Sequence, residues 1–584
     1  MSRINAFRFS GAAAILLALS LGGPIACSGQ TFTNYRFIDA DPWVTWDGNP
    51  GARTYYYSES CGSGTQICVR SSTTLTGIAR ALKSVVWTAP PCTPVCQANS
   101  LEIWRPEIVK LGSTWYIYYS AKSDFNTGSL RKLFVVRSED GPMGPYSSPT
   151  TSGPGWSSPI GAILDGKDFD AYDPNVFYAA DGKLYLVYTN SAQISILPLA
   201  DPVTTAAAQS TLLTQPTQWW EARSGQPAVQ GPQGITLYGN TYITYTAGPM
   251  NLNNNSAVGL LYNSSHQAGS ILDPASWSKQ GPIFDYHGGI AGGIYGPGAV
   301  VFVPSPDGTE WWALYHGETN QSCDPFITSG CRQIAMQKIY FDQTNGYPIL
   351  GYPINQGVNI DVPSGENGFH CSAAAPGNCQ LIPSWNAAFG DAAEGNTADG
   401  IVLGSWTEGK YGDRSTQSNI TLGGYNQIFS PWNPNFSSYV AVADMKVNTL
   451  GISFASPMYG LLVSYVDVNN GVSVWIDEQS KVARSFARVN GAYASYEACA
   501  LPSTFSYGSW NTLSVEKSAP AGACSMVDGN PSCESTYFIS VNGVQLAGAC
   551  QGRTFKMLNG SNLGLATQDA TASWRNVHLS GDLK

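Results

Sequence analysis

Trp115-Tyr-Ile-Tyr-Tyr119 is a short run of β-forming residues that ends in tyrosine and is followed by a small polar residue, Ser120. Similar segments, each with a closing tyrosine and then a small polar residue or histidine, occur at Arg53–Tyr57, Leu184–Tyr188, Thr241–Tyr245 and Trp311–Tyr315. The five closing tyrosines are 62, 69, 57 and 70 residues apart. Repeats of this length, with Gly and Asn turns between the strand formers, predict one four-stranded sheet each. Five such sheets around an axis predict a five-bladed β-propeller.

The composition agrees with a large, turn-rich, all-β protein. Of the 584 residues, 43% are hydrophobic and 12% are charged, with 62 glycines and 36 prolines. A formal net charge of −10 provides no basic surface for nucleic acid or anionic lipid. Many tyrosines and tryptophans with few charges suit a neutral polyhydroxylated ligand, whose C–H faces pack on aromatic rings. We therefore expect no nucleic-acid or membrane partner, and we expect a monomer.

Residues 1–27 predict a secretory signal peptide. Arg3 and Arg8 precede a short apolar stretch at 11–23, and the small-residue cleavage zone lies at 25–27. This stretch is too short to span a bilayer. A lipoprotein anchored at Cys27 is the alternative interpretation. The remaining twelve of the thirteen cysteines form an even number, which fits disulfide pairing in a secreted protein.

The composition and the hydrophobic pattern of the sequence change after the repeats. We assign residues 31–365 to the propeller, 366–383 to a Pro/Gly/Ala-rich linker and 384–584 to a second domain. Period-two alternation in the second domain, with tight-turn dipeptides at Asn470-Gly471 and Asn542-Gly543, predicts a concanavalin-like β-sandwich. This domain either binds sugar or packs against the propeller, and we favour packing.

A first strand precedes each tyrosine-ending strand, and one residue near it lies in a similar phase in every repeat. The residues at this phase, 16, 12, 15, 15 and 16 positions before their closing tyrosines, are Asp41, Glu107, Asp173, Gln230 and Ala299. Equivalent phase predicts that all five lie near the axis, so that three carboxyl groups meet in one cavity. A structural calcium ion near the axis, or simple capping of turns, is the alternative use of these acids.

Converging carboxylates beside tryptophans are what glycoside hydrolysis requires. An inverting enzyme needs a carboxylate base that activates water and an acid that protonates the leaving oxygen, about 6.5–9.5 Å apart. A third acid nearby raises the pKa of the general acid by like-charge repulsion. The tryptophans that flank the acids are Trp43, Trp46, Trp104, Trp219 and Trp220.

The residues from about 39 to 366 resemble glycoside hydrolase family 43, five-bladed propeller enzymes that act on arabinose- and xylose-containing polysaccharides. The resemblance is strongest to the exo-acting α-L-arabinofuranosidase-like branch. Among the motifs that carry it are Asp41-Pro-Trp-Val, Trp104-Arg-Pro-Glu-Ile, Tyr172-Asp173-Pro-Asn-Val, Gln230-Gly-Pro-Gln and Tyr295-Gly-Pro-Gly.

The resemblance implies a role for each matching residue. Asp41 would be the general base, Asp173 would tune and position the acid, and Gln230 stands at the general-acid position. The residues that would line the sugar subsite are Trp43, Trp104, Glu107 and Arg332. No cofactor is required by this assignment.

Two positions depart from the family pattern. Glu-Gly-Pro reads Gln230-Gly-Pro, and Gly-Pro-Gly-His reads Gly-Pro-Gly-Ala299. An amide cannot donate a proton as a carboxylic acid does, and acid catalysis is typically worth ~10²–10⁴-fold. Three explanations stay open: an engineered substitution, natural divergence with another acid such as Glu221 or Glu318, or a propeller that binds sugar without catalysis.

The sequence thus predicts a secreted, inverting, exo-acting glycoside hydrolase. It would release arabinofuranosyl or related pentosyl residues from plant cell-wall polysaccharide or its oligosaccharides. The alternative is a catalytically impaired or inactive relative that binds such glycans, because Gln230 replaces the acid.

Overall fold

The structure is a computed structural model. It describes residues 31–34, 37–124, 130–148, 170–207, 209–248, 256–264, 269–285, 293–318, 332–341, 347–366, 385–386, 402–403, 406–408, 414–416, 425–429, 438–451, 456–467, 470–519, 524–527, 530–558 and 562–581. The predicted signal peptide (1–27) lies outside these residues, as does the predicted linker (366–383) except for Glu366. The predicted domain boundaries therefore stay predictions.

The N-terminal half consists of strands joined by turns and short 3-10 segments. Its strands are β1 Thr31–Thr33, β2 Phe37–Ile38, β3 Val44–Asp47, β4 Thr54–Cys61, β5 Gln66–Ser72, β6 Ser84–Thr88, β7 Leu101–Leu111, β8 Thr114–Lys122, β9 Lys132–Ser138, β10 Ala171–Tyr178, β11 Leu184–Asn190, β12 Gln193–Asp201, β13 Thr204–Thr205, β14 Thr211–Thr214, β15 Val229–Leu237, β16 Asn240–Ala247, β17 Ala257–Asn263, β18 Ser278–Phe284, β19 Tyr295–Pro304, β20 Trp311–Glu318, β21 Arg332–Phe341, β22 Pro348–Ile349 and β23 Asn359–Asp361. The 3-10 segments are Gly62–Gly64, Thr76–Arg80, Trp219–Glu221, Arg223–Gly225, Ser270–Leu272 and Pro274–Ser276.

These strands form five antiparallel sheets in chain order: β3–β6, β7–β9, β10–β14, β15–β18 and β19–β22. The first strands of the sheets contact one another in a closed cycle, β3 with β7, β7 with β10, β10 with β15, β15 with β19, and β19 with β3. The N-terminal β2 joins the fifth sheet by pairing with β21, with Phe37 opposite Ile334. The predicted five-bladed propeller is confirmed, and its ring is closed by a strand from before the first repeat.

At three of its five copies, the repeated tyrosine motif connects one sheet to the next through Ser58, Thr189 or Thr246. The closing tyrosines Tyr57, Tyr119, Tyr188, Tyr245 and Tyr315 are all buried. The polar residue that follows each of them is buried as well, and it needs a hydrogen-bond partner there. The Thr189 hydroxyl accepts from the Gly231 backbone N–H at 2.9 Å, and the Thr246 hydroxyl accepts from that of Ala299 at 2.9 Å. The motif is therefore both a strand end and a bridge between neighbouring sheets.

A β-bulge interrupts four of the five first strands at the end that faces this bridge. The residues inside the bulges, all with positive φ (42°, 52°, 61° and 49°), are Arg105, Asp173, Gly231 and Ala299. A bulge inserts an extra residue and re-aims the side chains around it. In the second and fourth sheets, Arg105 and Gly231 occupy the position that Asp173 occupies in the third. The residues that spacing predicted for this position, Glu107 and Gln230, lie two residues after it and one residue before it.

The C-terminal half forms two further sheets. Its strands are β24 Trp385–Asn386, β25 Val402–Leu403, β26 Trp406–Glu408, β27 Arg414–Thr416, β28 Tyr425–Phe429, β29 Tyr439–Leu450, β30 Met458–Asp467, β31 Asn470–Asp477, β32 Val482–Val489, β33 Ala492–Ala500, β34 Asn511–Ser518, β35 Cys524–Val527, β36 Asn530–Val541, β37 Val544–Gln545, β38 Gln551–Leu558, β39 Asn562–Gln568 and β40 Ala570–Gly581, with a 3-10 turn at Gly548–Cys550.

The two C-terminal sheets enclose one apolar core, which confirms the predicted β-sandwich. Ten strands form one sheet and seven strands the other. Alternate residues such as Val474 and Leu565 meet Val515 and Trp574 from the opposite sheet in this core. The turn at Asn542-Gly543 is present, with positive φ at both residues. The turn predicted at Asn470-Gly471 was wrong, because β31 already begins at Asn470, which pairs with Asp467.

The sandwich and the propeller share part of this core. Tyr340 and Ile349, from the fifth propeller sheet, belong to the same buried cluster as the sandwich residues. This contact agrees with the packing role that we favoured for the second domain. Within the described residues, no helix is long and apolar enough to cross a membrane.

Disulfides link Cys61 to Cys68, Cys92 to Cys96, and Cys499 to Cys550. The last one closes a loop with a sequence separation of 51, against 7 for the first. A cross-link over a longer loop removes more entropy from the unfolded chain. We expect Cys499→Ala with Cys550→Ala to lower the free energy of unfolding by about 2–5 kcal/mol.

Chemical denaturation of this double variant under non-reducing conditions measures the loss. The matched control is Cys61→Ala with Cys68→Ala, for which we expect a smaller loss. A larger loss in the control would contradict the loop-entropy explanation.

Candidate active site

A cavity of about 670 Å³ opens among the ends of the propeller's first strands. Five of the seven predicted site residues line it: Asp41, Trp104, Asp173, Gln230 and Arg332. Trp43 and Glu107 do not belong to its wall. Residues that the sequence did not single out also line it, among them Asp39, Arg105, Lys122, Arg131 and Asp170.

Asp41 lies in the loop that leads into β3, and Asp39 lies two residues before it. Both residues line the cavity and are partly buried. Asp39 accepts hydrogen bonds from the Tyr57 hydroxyl and from the Ala40 backbone N–H, each at 2.7 Å. Burial raises the pKa of Asp39 to about 7, and the nearby Glu59 carboxylate raises it further. The two hydrogen bonds act in the opposite direction, because they stabilise the ionised carboxylate. Asp39 was missed because nothing in its local sequence indicates that Tyr57 would hold it.

Asp173 lies inside the bulge of β10 and is almost fully buried. The Nη1 atom of Arg105 is 3.8 Å from its Oδ2, and the Thr189 hydroxyl donates to Oδ2 at 3.4 Å. Burial raises the pKa of Asp173, while the positive charge of Arg105 opposes that rise. The bulge thus presents a carboxyl group whose proton affinity depends on a neighbouring guanidinium.

Glu107 lies two residues beyond the bulge of β7 and is buried beneath the cavity wall. The Arg105 Nε atom is 3.1 Å from its Oε1, and the Asn175 amide donates to its Oε2 at 2.7 Å. Burial raises the pKa of Glu107 to about 8 despite the Arg105 charge. These contacts support a structural role for Glu107, which holds Arg105 in place, and leave direct sugar contact as an untested prediction.

Trp104 provides an aromatic surface in the cavity. Trp104 is 40% exposed, and the guanidinium of Arg131 lies 3.0 Å from the centroid of its ring. Arg131 also forms an ion pair with Glu102, which fixes the cation against the ring. A rigid, partly exposed indole of this kind can pack on the C–H face of a sugar.

Trp43 lies outside the cavity. Its indole N–H donates to the Ile108 carbonyl at 2.6 Å, and the side chain is buried. It lines a separate pocket of about 380 Å³ together with Trp46 and Phe177. The sequence prediction that Trp43 contacts the sugar stays untested, and its position indicates packing between neighbouring sheets.

Gln230 reaches the cavity from β15, directly before the bulge. Neither of the acids considered as its replacement lines the cavity wall. Glu221 is fully buried and accepts hydrogen bonds from the Tyr245 hydroxyl at 2.8 Å and from two backbone N–H groups. Its carboxylate also forms an ion pair with Lys279 at 2.7 Å. Glu318 is buried with its Oε1 atom 3.6 Å from Nε of Arg332.

His316 is the buried histidine of the fifth sheet. It lies on β20 and pairs with Gly298 of β19. A Cβ atom at Gly298 would come within 2.6 Å of the Nε2 atom of His316. Burial and the charges of Arg332 and Arg105 hold the pKa of His316 well below its usual range, so its imidazole is neutral. Its neighbour across the bulge is Ala299, where the sequence pattern led us to look for a histidine.

The described residues contain no cluster of three or more acidic, histidine or cysteine side chains spaced to hold a metal ion. Among the acids predicted to lie near the axis, Glu107 contacts Arg105 and Asn175. The calcium ion near the axis stays a prediction.

Asp39 should make the stability of the fold depend on pH. Its pKa is about 7 in the folded protein and about 3.9 when exposed, so between these values the folded state binds more protons. Its contribution to stability is therefore complete below about pH 4 and is lost as the pH rises to about 7. The amide that Asp39→Asn introduces does not titrate. We expect the melting temperature of the unaltered protein to fall, relative to that of Asp39→Asn, across this window and to level off above it.

Differential scanning fluorimetry of both proteins from pH 4 to pH 8 measures this difference. A constant difference between the two melting temperatures at every pH would mean that Asp39 has the same pKa in the folded and unfolded states.

A propeller with acids, a guanidinium-backed tryptophan and further polar groups around one axial cavity is a site for hydrolysing glycosidic bonds. The profile described as "Glycosyl hydrolases family 43" matches residues 36–348. The chain belongs to this family of glycoside hydrolases, which act on O-glycosyl bonds.

Two relatives with similar sequences agree with this assignment, and one solved structure shows a similarity only. The chain is 30% identical over 370 residues to "Extracellular exo-alpha-(1->5)-L-arabinofuranosidase" of Streptomyces avermitilis, covering 61% of this chain and 72% of the relative. It is 28% identical to "Alpha-L-arabinofuranosidase 43" of Humicola insolens, covering 59% and 68%. Among solved structures, the alpha-L-arabinofuranosidase from Lactobacillus brevis is 24% identical with a TM-score of 0.48, covering 56% of this chain and 98% of that one.

Proposed function

We propose that this chain is a secreted, inverting, exo-acting α-L-arabinofuranosidase that releases arabinofuranosyl residues from plant polysaccharide or its oligosaccharides. The observation that carries the proposal is the convergence of Asp41, Asp173 and Trp104 on one cavity. The named arabinofuranosidases to which the chain is similar support the choice of sugar. Related pentosyl units, such as xylose, are the next candidates.

In the proposed reaction, Asp41 is the general base. Its carboxylate takes a proton from a water molecule, and the water oxygen attacks the anomeric carbon. Trp104 packs against the sugar and limits its orientations. Asp173 and the adjacent Arg105 set the electrostatic field around the reacting carbon, since their charged groups are 3.8 Å apart at the cavity wall.

Gln230 limits the other half of the reaction. It lies at the predicted general-acid position and lines the cavity, but its amide has no proton to transfer. A second candidate function follows from this observation, namely a protein that binds arabinofuranosyl glycans and turns them over slowly or not at all.

Secretion is supported by the disulfides and by the extracellular relatives. Three disulfides join described cysteines, and disulfides persist in oxidising compartments. Two of the relatives are named extracellular enzymes.

A panel of nitrophenyl glycosides tests the sugar without depending on a general acid, because nitrophenolate leaves readily. We expect kcat/KM for the α-L-arabinofuranoside to exceed those for the β-D-xyloside and the β-D-galactoside by about tenfold or more, the size of effect that one subsite contact provides. Proton NMR of the first product should show the inverted β-anomer of arabinose. Faster cleavage of the xyloside would assign the subsite to xylose instead of arabinose. Retention of the anomeric configuration in the product would contradict the role of Asp41 as the general base. Oligosaccharide binding without any cleavage would favour the second candidate.

A further inference from the structure

Arg105 places a positive charge beside Gln230. The residue is 3% exposed and lines the cavity. A Cβ atom added to Gly231, the residue after Gln230, would lie 2.3 Å from Nη1 of Arg105. The guanidinium therefore packs directly against the backbone that carries the Gln230 side chain. A side chain at position 231 would force the guanidinium to shift and would be strained by the positive φ of 61° there.

The guanidinium retains unused donor capacity. Its Nη2 atom is buried and has no hydrogen-bond partner within the part of the chain that the structure describes. The other contacts of Arg105 are with Glu107 at 3.1 Å and Asp173 at 3.8 Å, on Nε and Nη1. A buried N–H donor without a protein partner is typically completed by an ordered water or a bound group, and Arg105 is one of the residues around the cavity.

The cavity thus has donors where a proton-transferring group is expected. The Gln230 amide donates hydrogen bonds, and the Arg105 guanidinium donates hydrogen bonds with a permanent positive charge. Neither releases a proton near neutral pH. Oriented donors and a cation of this kind stabilise an oxygen that becomes negatively charged, as an oxyanion hole does.

We infer that the aglycone cleaved in this cavity leaves as an anion, so that arabinofuranosides of phenols are cleaved in preference to those of sugars. In this step water adds its oxygen to the anomeric carbon and its proton passes to Asp41. The glycosidic C–O bond breaks, and its electron pair stays on the phenol oxygen, which departs as phenolate against Gln230 and Arg105. The Asp41 proton then returns to solvent, so charge and atoms balance.

The inference rests on the proposed function, because it keeps the arabinofuranosyl subsite and Asp41 and narrows the aglycone. It differs from simple loss of the acid in one respect. If Gln230 merely replaces a lost acid and has no role, changing it should not affect kcat/KM for substrates with good leaving groups. If Gln230 stabilises the departing phenolate, the same change should lower kcat/KM.

The test is Gln230→Met, which keeps the side-chain volume and removes the amide. With dinitrophenyl α-L-arabinofuranoside as substrate, we expect kcat/KM to fall about 10- to 100-fold, because hydrogen bonds to charged oxygens typically contribute one to two powers of ten. Gln215→Met, the same change at an exposed glutamine of the propeller, should leave kcat/KM unchanged. Arg105→Lys, which keeps the charge and loses the planar donor set, should lower kcat/KM as well.

Inhibition by free 4-nitrophenol gives a second readout. We expect the phenolate form to compete with substrate more strongly than the neutral form, and this preference to shrink in Gln230→Met. Equal kcat/KM values for Gln230→Met and the unaltered protein, while Gln230→Glu cleaves arabino-oligosaccharides, would overturn the inference and leave the proposed function intact. Failure of every variant to cleave any arabinofuranoside would overturn both.

Discussion

Gln230→Glu should convert this chain into an efficient hydrolase of arabino-oligosaccharides. Restoring a carboxylic acid at the cavity wall supplies the proton that a sugar leaving group needs, and general acids typically contribute ~10²–10⁴-fold. The position suits the change because Gln230 already lines the cavity and is buried, which favours a raised pKa for the new acid. We therefore expect kcat/KM for the oligosaccharide to rise by about two to four orders of magnitude.

The same pair of proteins on nitrophenyl arabinofuranoside provides the control. Nitrophenolate needs little protonation, so the substitution should change this rate much less than the oligosaccharide rate. If the unaltered chain cleaves both substrates well, another residue supplies the proton and the assignment of position 230 is wrong. If neither protein cleaves either substrate, glycan binding becomes the better account of the chain.

Asp41→Asn should abolish most activity on every substrate, including activated phenyl glycosides. A phenolate leaving group removes the need for an acid but not for the base that activates water, and this base typically contributes ~10²–10⁴-fold. The amide has nearly the same shape as the carboxylate, so the cavity and its sugar affinity should be retained. Initial rates with nitrophenyl arabinofuranoside, together with calorimetric binding of arabinose oligosaccharides, separate loss of catalysis from loss of binding.

Asp39→Asn is the informative comparison, because this second carboxyl group lies two residues away in the same cavity wall. Its hydrogen bonds from Tyr57 and the Ala40 backbone indicate a structural group. We expect a much smaller effect on kcat than for Asp41→Asn. If the order is reversed, with Asp39→Asn inactive and Asp41→Asn active, the base is Asp39.

The fold was predictable because each repeat carries its own local pattern. Strand formers that end in a buried tyrosine recur with turn residues between them, and the structure forms a sheet at each recurrence. The local patterns did not predict how the ring closes. The two residues of β2 carry no recognisable strand pattern, and they pair with β21 about 300 residues away only because the ring brings them together.

The candidate site was predictable as a set of motifs rather than as a geometry. Asp41, Trp104, Asp173, Gln230 and Arg332 meet at the cavity as expected. Spacing alone misplaced Glu107, because the β7 bulge re-aims the strand there and puts Arg105 at the position of Asp173. Nothing in the sequence indicates which residue of Trp104-Arg-Pro-Glu is aimed at the axis.

By itself, the sequence determined the all-β class, the five repeats and five of the residues that line the cavity, namely Asp41, Trp104, Asp173, Gln230 and Arg332. These depend on side-chain periodicity and turn chemistry, which act over a few residues. Only the tertiary structure decided that Arg105 lies against Gly231 beside Gln230, and that Glu221 and Glu318 are occupied elsewhere. Such contacts join residues far apart in the chain, and their strength depends on burial, which a single sequence does not specify.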